Sequence, residues 1–329
     1  MKKFMNSSET LLRESLSGFA QCHRDIVALD REFRFVSRRQ STRGKVALVS
    51  GGGSGHEPLH TGFVGRGMLD AACPGQVFTS PTPDQMVAAA EVVETGAGVL
   101  FIVKNYAGDV MNFALAAEMC GARAETIVID DDVAVESSAQ GGGRRGVAGT
   151  VVVEKVVGAA AEAGADLGAL KRLGAAVNGA TRSMGVALTS CTVPAVGKPT
   201  FDIADDEMEV GVGIHGEPGR RRVALMPAGE IAEELVRTIV DDLDLRPGSE
   251  VLLMVNGLGA TPLLELHVMY DAASRQLAGR GLDVRRSLVG NYVTSLDMAG
   301  CSVTVTVLND DLTALWDAPV HTAALRWGV

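Results

Sequence analysis

The stretch 45–58 reads Lys-Val-Ala-Leu-Val-Ser-Gly-Gly-Gly-Ser-Gly-His-Glu-Pro, and the reading of the whole chain starts from it. Residues 46–49 form an apolar run with charge before it and glycine after it, the pattern of a buried strand. The run passes directly into Gly51, Gly52, Gly53, Ser54 and Gly55. Clustered glycines let backbone approach a ligand closely and take up turns with positive φ. His56 and Glu57 follow at once, so titratable groups stand at the end of a strand. Ligands of open α/β sheets bind at that end. A tight turn with an incidental histidine is the plainer reading; the His-Glu-Pro ending favours a ligand loop.

Two familiar glycine loops do not fit. A Walker loop needs a lysine directly after its last glycine. Here His56 follows Gly55, and no lysine appears until Lys104. A dinucleotide fingerprint needs Gly-x-Gly-x-x-Gly. Gly51 and Gly53 are followed by histidine, not glycine, at position 56.

A second apolar run, 99–103, also reads as a buried strand, and it ends in Lys104-Asn105-Tyr106-Ala107-Gly108-Asp109. A lysine, an asparagine and an aspartate at one strand end can bind, orient and deprotonate a small polyhydroxy ligand. A charged loop has the same composition; finding polar chemistry at two strand ends favours function. Between the two strands, Pro81 to Asp84 carry helix-start signals for a helix over 84–95. The segments before and after the glycine loop read as an amphipathic helix over 8–30 and a short, glycine-interrupted helix over 59–68. His60 lies near the loop, with at most a secondary role.

A helix over 110–120 and a strand over 126–130 continue the β-α-β rhythm of a largely parallel sheet. Asp130, Asp131 and Asp132 end that strand. Consecutive carboxylates do not converge on one ion in extended chain, so they read as solvated or loop-capping groups, and no metal site is expected. A flexible loop over 141–149 leads to helices over 150–163 and 166–182 and a strand over 184–190. The second constellation is Gly211-Val-Gly-Ile-His215-Gly-Glu217-Pro-Gly219, again a histidine among glycines. Helices over 228–241 and 262–279 and strands over 250–255, 283–289 and 301–308 complete a second unit. His23, His267 and His321 read as structural. The fold class is therefore α/β: two α/β domains, each a sheet flanked by helices. Pro194, Gly197 and Pro199 place the boundary near 185–200, giving domains 1–190 and 191–329.

Composition excludes several classes. The 329 residues are 47% hydrophobic and only 4% aromatic, with 39 glycines, as in a soluble α/β protein of two domains. The net charge of −10, with no balancing basic run, argues against nucleic acid as a partner. The arginine clusters at 143–146 and 219–222 read as solvated loops. No apolar stretch approaches the roughly 20 residues of a membrane span, and the N-terminus lacks the apolar core of a signal peptide. The five cysteines are far apart without a CxxC pair, which reads as free thiols and a cytoplasmic location.

With His56, Asp109 and His215 in view, the chain resembles the substrate-binding K subunits of dihydroxyacetone kinases, most of all the phosphotransferase-linked type. The likeness runs through nearly the whole chain. It rests on SGGGSGHEP at 50–58, GFVGRGML at 62–69, CPGQVFTSPTPDQ at 73–85 and IVKNYAGDVMNF at 102–113. Further signatures are DDDVAV at 130–135, GRRGVAGT at 143–150, SCTVPAVGKP at 190–199, GVGIHGEPG at 211–219, TSLDMAG at 294–300 and LWDAPVHT at 315–322.

The resemblance implies that His215 forms a covalent hemiaminal with the carbonyl carbon of the substrate. A histidine with its ordinary pKa of ~6.5 is largely neutral at pH 7, and neutral imidazole is nucleophilic. It implies that Asp109 is the general base for the hydroxyl being phosphorylated, and that His56 hydrogen-bonds substrate and assists proton movement. It implies, too, that Gly53, through its backbone, and Lys104 hold the remaining substrate oxygens. Ala107 departs from the family, where a hydroxyl residue is common, and the link from Gly219 to the helix at 228 is short. Neither departure removes a named residue. The chain ends at Val329 without a kinase domain, so it is expected to bind substrate but to transfer no phosphate alone. A separate L subunit carrying ADP or ATP with Mg2+ is the expected partner, recharged by a phosphotransfer protein or by ATP exchange; no cofactor is expected in this chain. A homodimer is also expected. Two other readings stay open: a kinase subunit for another short ketose such as erythrulose, and a ligand-sensing coregulator without kinase activity.

Overall fold

The computed structural model describes residues 2–135, 142–217 and 219–329. The first residue of the loop expected over 141–149, and Pro218 of the second histidine motif, lie outside the described residues. The chain divides into two compact units. Unit 1 comprises Met1–Ile129, Val151–Ala176 and Ala314–Val329; unit 2 comprises Asp130–Thr150 and Val177–Thr313.

Unit 1 opens with helix α1 (Leu11–Cys22) and strands β1 (Val27–Leu29), β2 (Val36–Arg38), β3 (Ala47–Ser54), β4 (Gly65–Arg66) and β5 (Ala71–Val77). Helix α2 (Pro83–Val93), strand β6 (Val99–Lys104), helix α3 (Ala107–Met119), strand β7 (Ala124–Ile129) and helices α4 (Gly149–Glu162) and α5 (Leu167–Gly179) follow. The sheet runs β1-β2-β5-β3-β6-β7. Its β5-β3-β6-β7 portion is parallel, as the β-α-β rhythm requires, and β1 and β2 add antiparallel. Strands β3 and β6 are buried along their whole length, which is why both read as near-continuous apolar runs.

Alternation along β3 and β6 sorts their side chains. Ala47 pairs with Val99 and Ser50 with Ile102, so odd positions share one face and even positions the other. The odd residues Ala47, Val49, Val99, Phe101 and Val103 pack with Met86, Ala90 and Val93 of α2 and Phe113 and Ala116 of α3. Phe101 and Phe113 meet edge to face at 5.5 Å. Each buried Val, Met or Phe among them is worth about 1.5–3 kcal/mol. The even face carries Ser50, Gly52 and Lys104, and there the chemistry collects.

Three expectations for this unit change. The helix expected over 8–30 stops at Cys22, because Val27–Leu29 pairs with β2 instead. The helix expected over 59–68 is a 3-10 turn, Thr61–Phe63, followed by β4. Strand β5 was not anticipated: Pro74 and Gly75 argue against a strand, yet it lies between β2 and β3.

Unit 2 contains β8 (Thr181–Ala187), β9 (Glu207–Val210), β10 (Arg221–Ala224), α6 (Ala228–Asp242), β11 (Glu250–Gly257), α7 (Leu263–Gly279), β12 (Asp283–Gly290) and β13 (Gly300–Val307). Its sheet runs β10-β9-β8-β13-β11-β12, and only the β11–β12 pair is parallel. Strand β13, Gly-Cys-Ser-Val-Thr-Val-Thr-Val, explains both faces. Cys301, Val303 and Val305 join the core with Leu235, Val236 and Ile239 of α6 and Leu266, Ala273 and Leu277 of α7. Thr304 and Thr306 face the other way and hydrogen-bond across to Ser183 (2.7 Å) and Thr181 (2.9 Å) of β8.

The chain closes with α8 (Asp310–Asp317), β14 (Val320–Thr322) and β15 (Arg326–Trp327). Strand β14 pairs with β15 and with β4, forming a small third sheet. A single boundary near 185–200 therefore does not describe the chain's contacts. Strand β8 lies inside the first expected domain but pairs with β13 and β9, and β14 returns to β4. All five cysteines are free. No helix among the described residues is long and apolar enough to cross a membrane.

The aspartates at 130–132 are loop-capping, and two of them are not solvated. Asp130 is exposed and pairs with Asn178, whereas Asp131 and Asp132 are buried. Asp131 accepts from the backbone N–H of Val147 (2.8 Å) and Gly149 (2.7 Å) and from the Ser183 hydroxyl. Removing an acceptor strands buried donors at about 1–3 kcal/mol each. Asp131→Ala is therefore expected to lower stability by about 2–4 kcal/mol, read as a shift of the urea midpoint with unchanged slope.

Candidate active site

Of the residues singled out from the sequence, Lys104 and Asp109 meet in a polar cluster of unit 1 and His215 lies in another in unit 2. In unit 1, Lys104 ends β6 and Asp109 lies in the first turn of α3, which begins three residues earlier than expected. A carboxylate in that position is favoured by the helix dipole. The two side chains form a buried ion pair, Lys104 Nζ to Asp109 Oδ2 at 3.2 Å. Lys104 also donates to Gly51 O at 3.4 Å and contacts His60 Nε2 at 3.2 Å. Asp109 Oδ1 is buried and has no hydrogen-bond partner among the described residues. A carboxylate oxygen so placed has its acceptor positions unfilled.

The glycine run makes room for this. A Cβ on Gly52 would stand 2.3 Å from Lys104 Nζ, so any side chain there would expel the ammonium. Gly53 and His56 border the same segment. A Cβ on Gly53 would meet Phe78 and Thr79 backbone at 2.6–2.8 Å, and the His56 ring stacks on Phe78 with centroids 5.0 Å apart. A cavity of about 210 Å³ borders Gly52, Gly53 and His60. Its other walls include Leu12, Leu16 and Phe19 of α1, and neither Lys104 nor Asp109 lines it. It is an apolar space beside the polar cluster.

Sequence reasoning missed part of the cluster. His60 is buried, with Nδ1 2.7 Å from Glu154 Oε1 and 3.0 Å from Ser50 Oγ. Glu154 comes from α4, which reads as an alanine- and valine-rich helix. The available signal was Glu154-Lys155 inside Val-Val-Val-Glu-Lys-Val-Val, since a charge on a buried helix face needs a partner. His267 is exposed on α7 and His321 lies in β14, so neither joins a cluster.

In unit 2, His215 follows Gly211 and Gly213 in the loop after β9. Its Nδ1 lies 2.9 Å from Glu217 Oε1, and its backbone N–H donates to Glu217 Oε2 at 3.0 Å. A carboxylate can only accept, so Nδ1 of the ring carries a proton. Gly213 is required here: a Cβ would fall 1.9 Å from Glu217 Oε2 and 2.5 Å from Arg145 Nη1. Arg145, expected as a solvated loop residue, instead pairs with Asp132 at 2.7 Å and donates to Gly211 O at 2.8 Å. Burial raises the Glu217 carboxyl, but the His215 hydrogen bond and charge, with Arg145, outweigh it and bring it down to about 2. Burial pushes Asp132 up to about 6, opposed by the charge of Arg145. Among the described residues, no group of three His, Cys, Asp or Glu could hold a metal ion.

A depressed carboxyl stabilises the fold above its unfolded pKa, and that contribution is lost as pH falls through the folded value. For Glu217 the window runs from the ordinary 4.5 down to about 2. Carboxyl carbon-13 NMR is expected to place its midpoint near the lower end. His215→Ala is expected to return it toward 4.5, since the largest lowering partner is gone.

A model of the Dak1 domain family matches residues 17–324. The dihydroxyacetone-binding subunit DhaK of the PTS-dependent dihydroxyacetone kinase 1 of Listeria innocua is 50% identical over 314 residues, 94% of this chain and 95% of that one. The dihydroxyacetone-binding subunit DhaK of the PEP-dependent kinase of Escherichia coli is 46% identical over 356 residues and 100% of both chains. Among solved structures, the dihydroxyacetone kinase operon co-activator Dha-DhaQ matches with a TM-score of 0.89 at 34% identity, covering 94% of this chain and 96% of that one. The family match runs through both units and both clusters, and the chain belongs to the Dak1 domain family.

Proposed function

We propose that this chain is the dihydroxyacetone-binding subunit of a dihydroxyacetone kinase, capturing the ketone and presenting its hydroxyl to a nucleotide-bearing partner subunit. The observation that carries the reading is Asp109, a buried carboxylate tied to Lys104 through Oδ2 with Oδ1 left to accept. The names of the relatives at 46–50% identity support the substrate and the shared labour with a partner.

His215 performs the capture. Its Nε2 lone pair attacks the carbonyl carbon, the C–N bond forms, and the carbonyl electron pair moves to oxygen, which takes up a proton. That proton is the one Nδ1 gives up, passed on through Glu217, whose carboxylate is restored, so the ring ends neutral in the hemiaminal. A ketone can form this adduct; glycerol, with a hydroxyl in its place, cannot. Asp109 Oδ1 then accepts the proton of the terminal hydroxyl as its oxygen attacks phosphorus. His56 hydrogen-bonds the substrate and assists proton movement. The Gly53 backbone holds a further oxygen, and Lys104 does so by exchanging its long bond to Gly51 O for the ligand. The phosphoryl group and Mg2+ come with the nucleotide of the partner, which a phosphotransfer protein recharges. The transfer itself then needs mainly positioning and charge stabilisation. A homodimer and a cytoplasmic location belong to the same reading.

Dihydroxyacetone carrying carbon-13 at the carbonyl tests the capture. Its bound signal is expected to move from the ketone to the sp3 region, and to stay unmoved with His215→Ala. A ketone signal that persists on the unaltered protein would overturn the assignment of this ligand to His215, and labelled erythrulose would then show whether a four-carbon ketose is the substrate.

Asp109→Asn separates base from capture. With the partner subunit present, turnover is expected to fall by a factor of about 10² to 10⁴, while the hemiaminal signal remains. A ligand sensor would need His215 but not Asp109. Normal turnover in this variant would sink the base assignment, and absent turnover in the unaltered protein would favour the sensor.

A further inference from the structure

In unit 1, Glu154 on α4 and His60 extend the buried Lys104–Asp109 pair into a polar chain of four side chains, and the mechanism above uses neither of them. An ammonium group has three N–H donors and no lone pair. Lys104 directs them at Gly51 O (3.4 Å), His60 Nε2 (3.2 Å) and Asp109 Oδ2 (3.2 Å). His60 Nε2 is therefore an acceptor, and its ring proton sits on Nδ1. That N–H faces Glu154 Oε1 at 2.7 Å and Ser50 Oγ at 3.0 Å. The Ser50 hydroxyl donates to Ile102 O at 2.6 Å, so toward the ring it can only accept. The direction of donation is fixed along the whole chain, from Lys104 to His60 and from His60 to Glu154.

Charge agrees with this. Burial pushes the Glu154 carboxyl well above its ordinary range, against the pull of Lys104. Burial, with the charges of Lys104 and His56, pushes His60 well below its own. Burial thus disfavours the charged forms of Glu154 and His60, and the close ion pair of the cluster is Lys104 with Asp109.

We propose that Glu154 and His60 are positioning residues: they hold Lys104 against Asp109 Oδ2, so that Oδ1 is the oxygen offered to the ligand hydroxyl. The proposal rests on the reading of Asp109 as the base. If His60 loses its acceptor, its proton can move to Nε2, which then cannot accept from Lys104. The freed ammonium turns, and the Asp109 carboxylate turns with it. The bond from His215 to the carbonyl carbon involves none of these atoms, although Lys104 also holds a substrate oxygen.

Two measurements test this. Nitrogen-15 NMR of the histidine-labelled protein at pH 7 is expected to show His60 with its proton on Nδ1. A proton on Nε2, or a doubly protonated ring, would overturn the proposal without any substitution being made. Kinetics with the nucleotide-bearing partner supply the second. Glu154→Leu and His60→Leu are expected to lower kcat on the order of 10²-fold, as a misplaced catalytic group does, with the carbon-13 capture signal still formed and KM raised no more than in a Lys104→Met variant, which loses the same substrate contact. Glu154→Gln, whose amide oxygen can accept from Nδ1–H, is expected to recover most of that loss.

In an Asp109→Asn background, Glu154→Leu should add no further loss, because both act through one group. A multiplied loss there, or capture falling along with kcat, would overturn the proposal. An inactive Asp109→Asn beside a fully active Glu154→Leu overturns this proposal alone. An active Asp109→Asn overturns it together with the base assignment. If Glu154→Leu does not fold, the tautomer of His60 in the unaltered protein and in Glu154→Gln decides.

Discussion

An ion pair taken out of water is costly unless its geometry is good and its remaining hydrogen-bonding positions are filled. The Lys104–Asp109 pair sets that condition for unit 1. The lysine ends a fully buried strand, so its ammonium must find three acceptors inside the protein. One is a carbonyl of the glycine run, one a ring nitrogen of His60 and one the aspartate. Each acceptor constrains a different element. Gly51 belongs to β3, His60 stands just before the 3-10 turn, and Asp109 belongs to α3. The missing side chain of Gly52 is the space in which the ammonium sits. The glycine run is therefore as much a socket for a lysine as a loop for a ligand.

Unit 2 meets the same demand with the charges rearranged. Its core is apolar only where α6 and α7 cover the sheet. The other face carries a ladder of hydroxyls, Thr181, Ser183, Thr304 and Thr306, which satisfy one another and Asp131. At the loop after β9, Glu217 takes both the ring and the backbone N–H of His215. The two clusters thus use a carboxylate differently. In unit 1 Asp109 keeps one oxygen in reserve, whereas in unit 2 Glu217 commits both to holding one histidine.

The elements with long, regular patterns were readable: β3 and β6 from their apolar runs, α6 and α7 from helical spacing, and the strand ends from their polar punctuation. Asp109 and Lys104 were readable for the same reason, as polar residues immediately after a buried run. What failed was short or non-local. Strand β5 hides behind Pro74 and Gly75, and β1 and β2 have three residues each. No local pattern tells that β8 pairs with a strand more than a hundred residues later, or that β14 pairs with β4. Glu154 was lost because a helix rich in valine reads as core, although a glutamate there is informative for that reason. Arg145 shows the converse, a residue that looks like loop solvent but bridges Asp132 and Gly211.

The return of the chain at β14 bears on the order in which the protein can be made. Strand β4 leaves the ribosome long before the strand that pairs with it, β14. All six strands of the unit 2 sheet lie between them in sequence. The sheet of unit 2 can therefore be complete while unit 1 still lacks an edge, and a nascent chain carries β4 without that partner until β14 emerges. Exposed strand edges invite pairing with other chains. In β4 that edge is two residues long, Gly65–Arg66, and one of them is charged. A short, charged strand is suited to waiting.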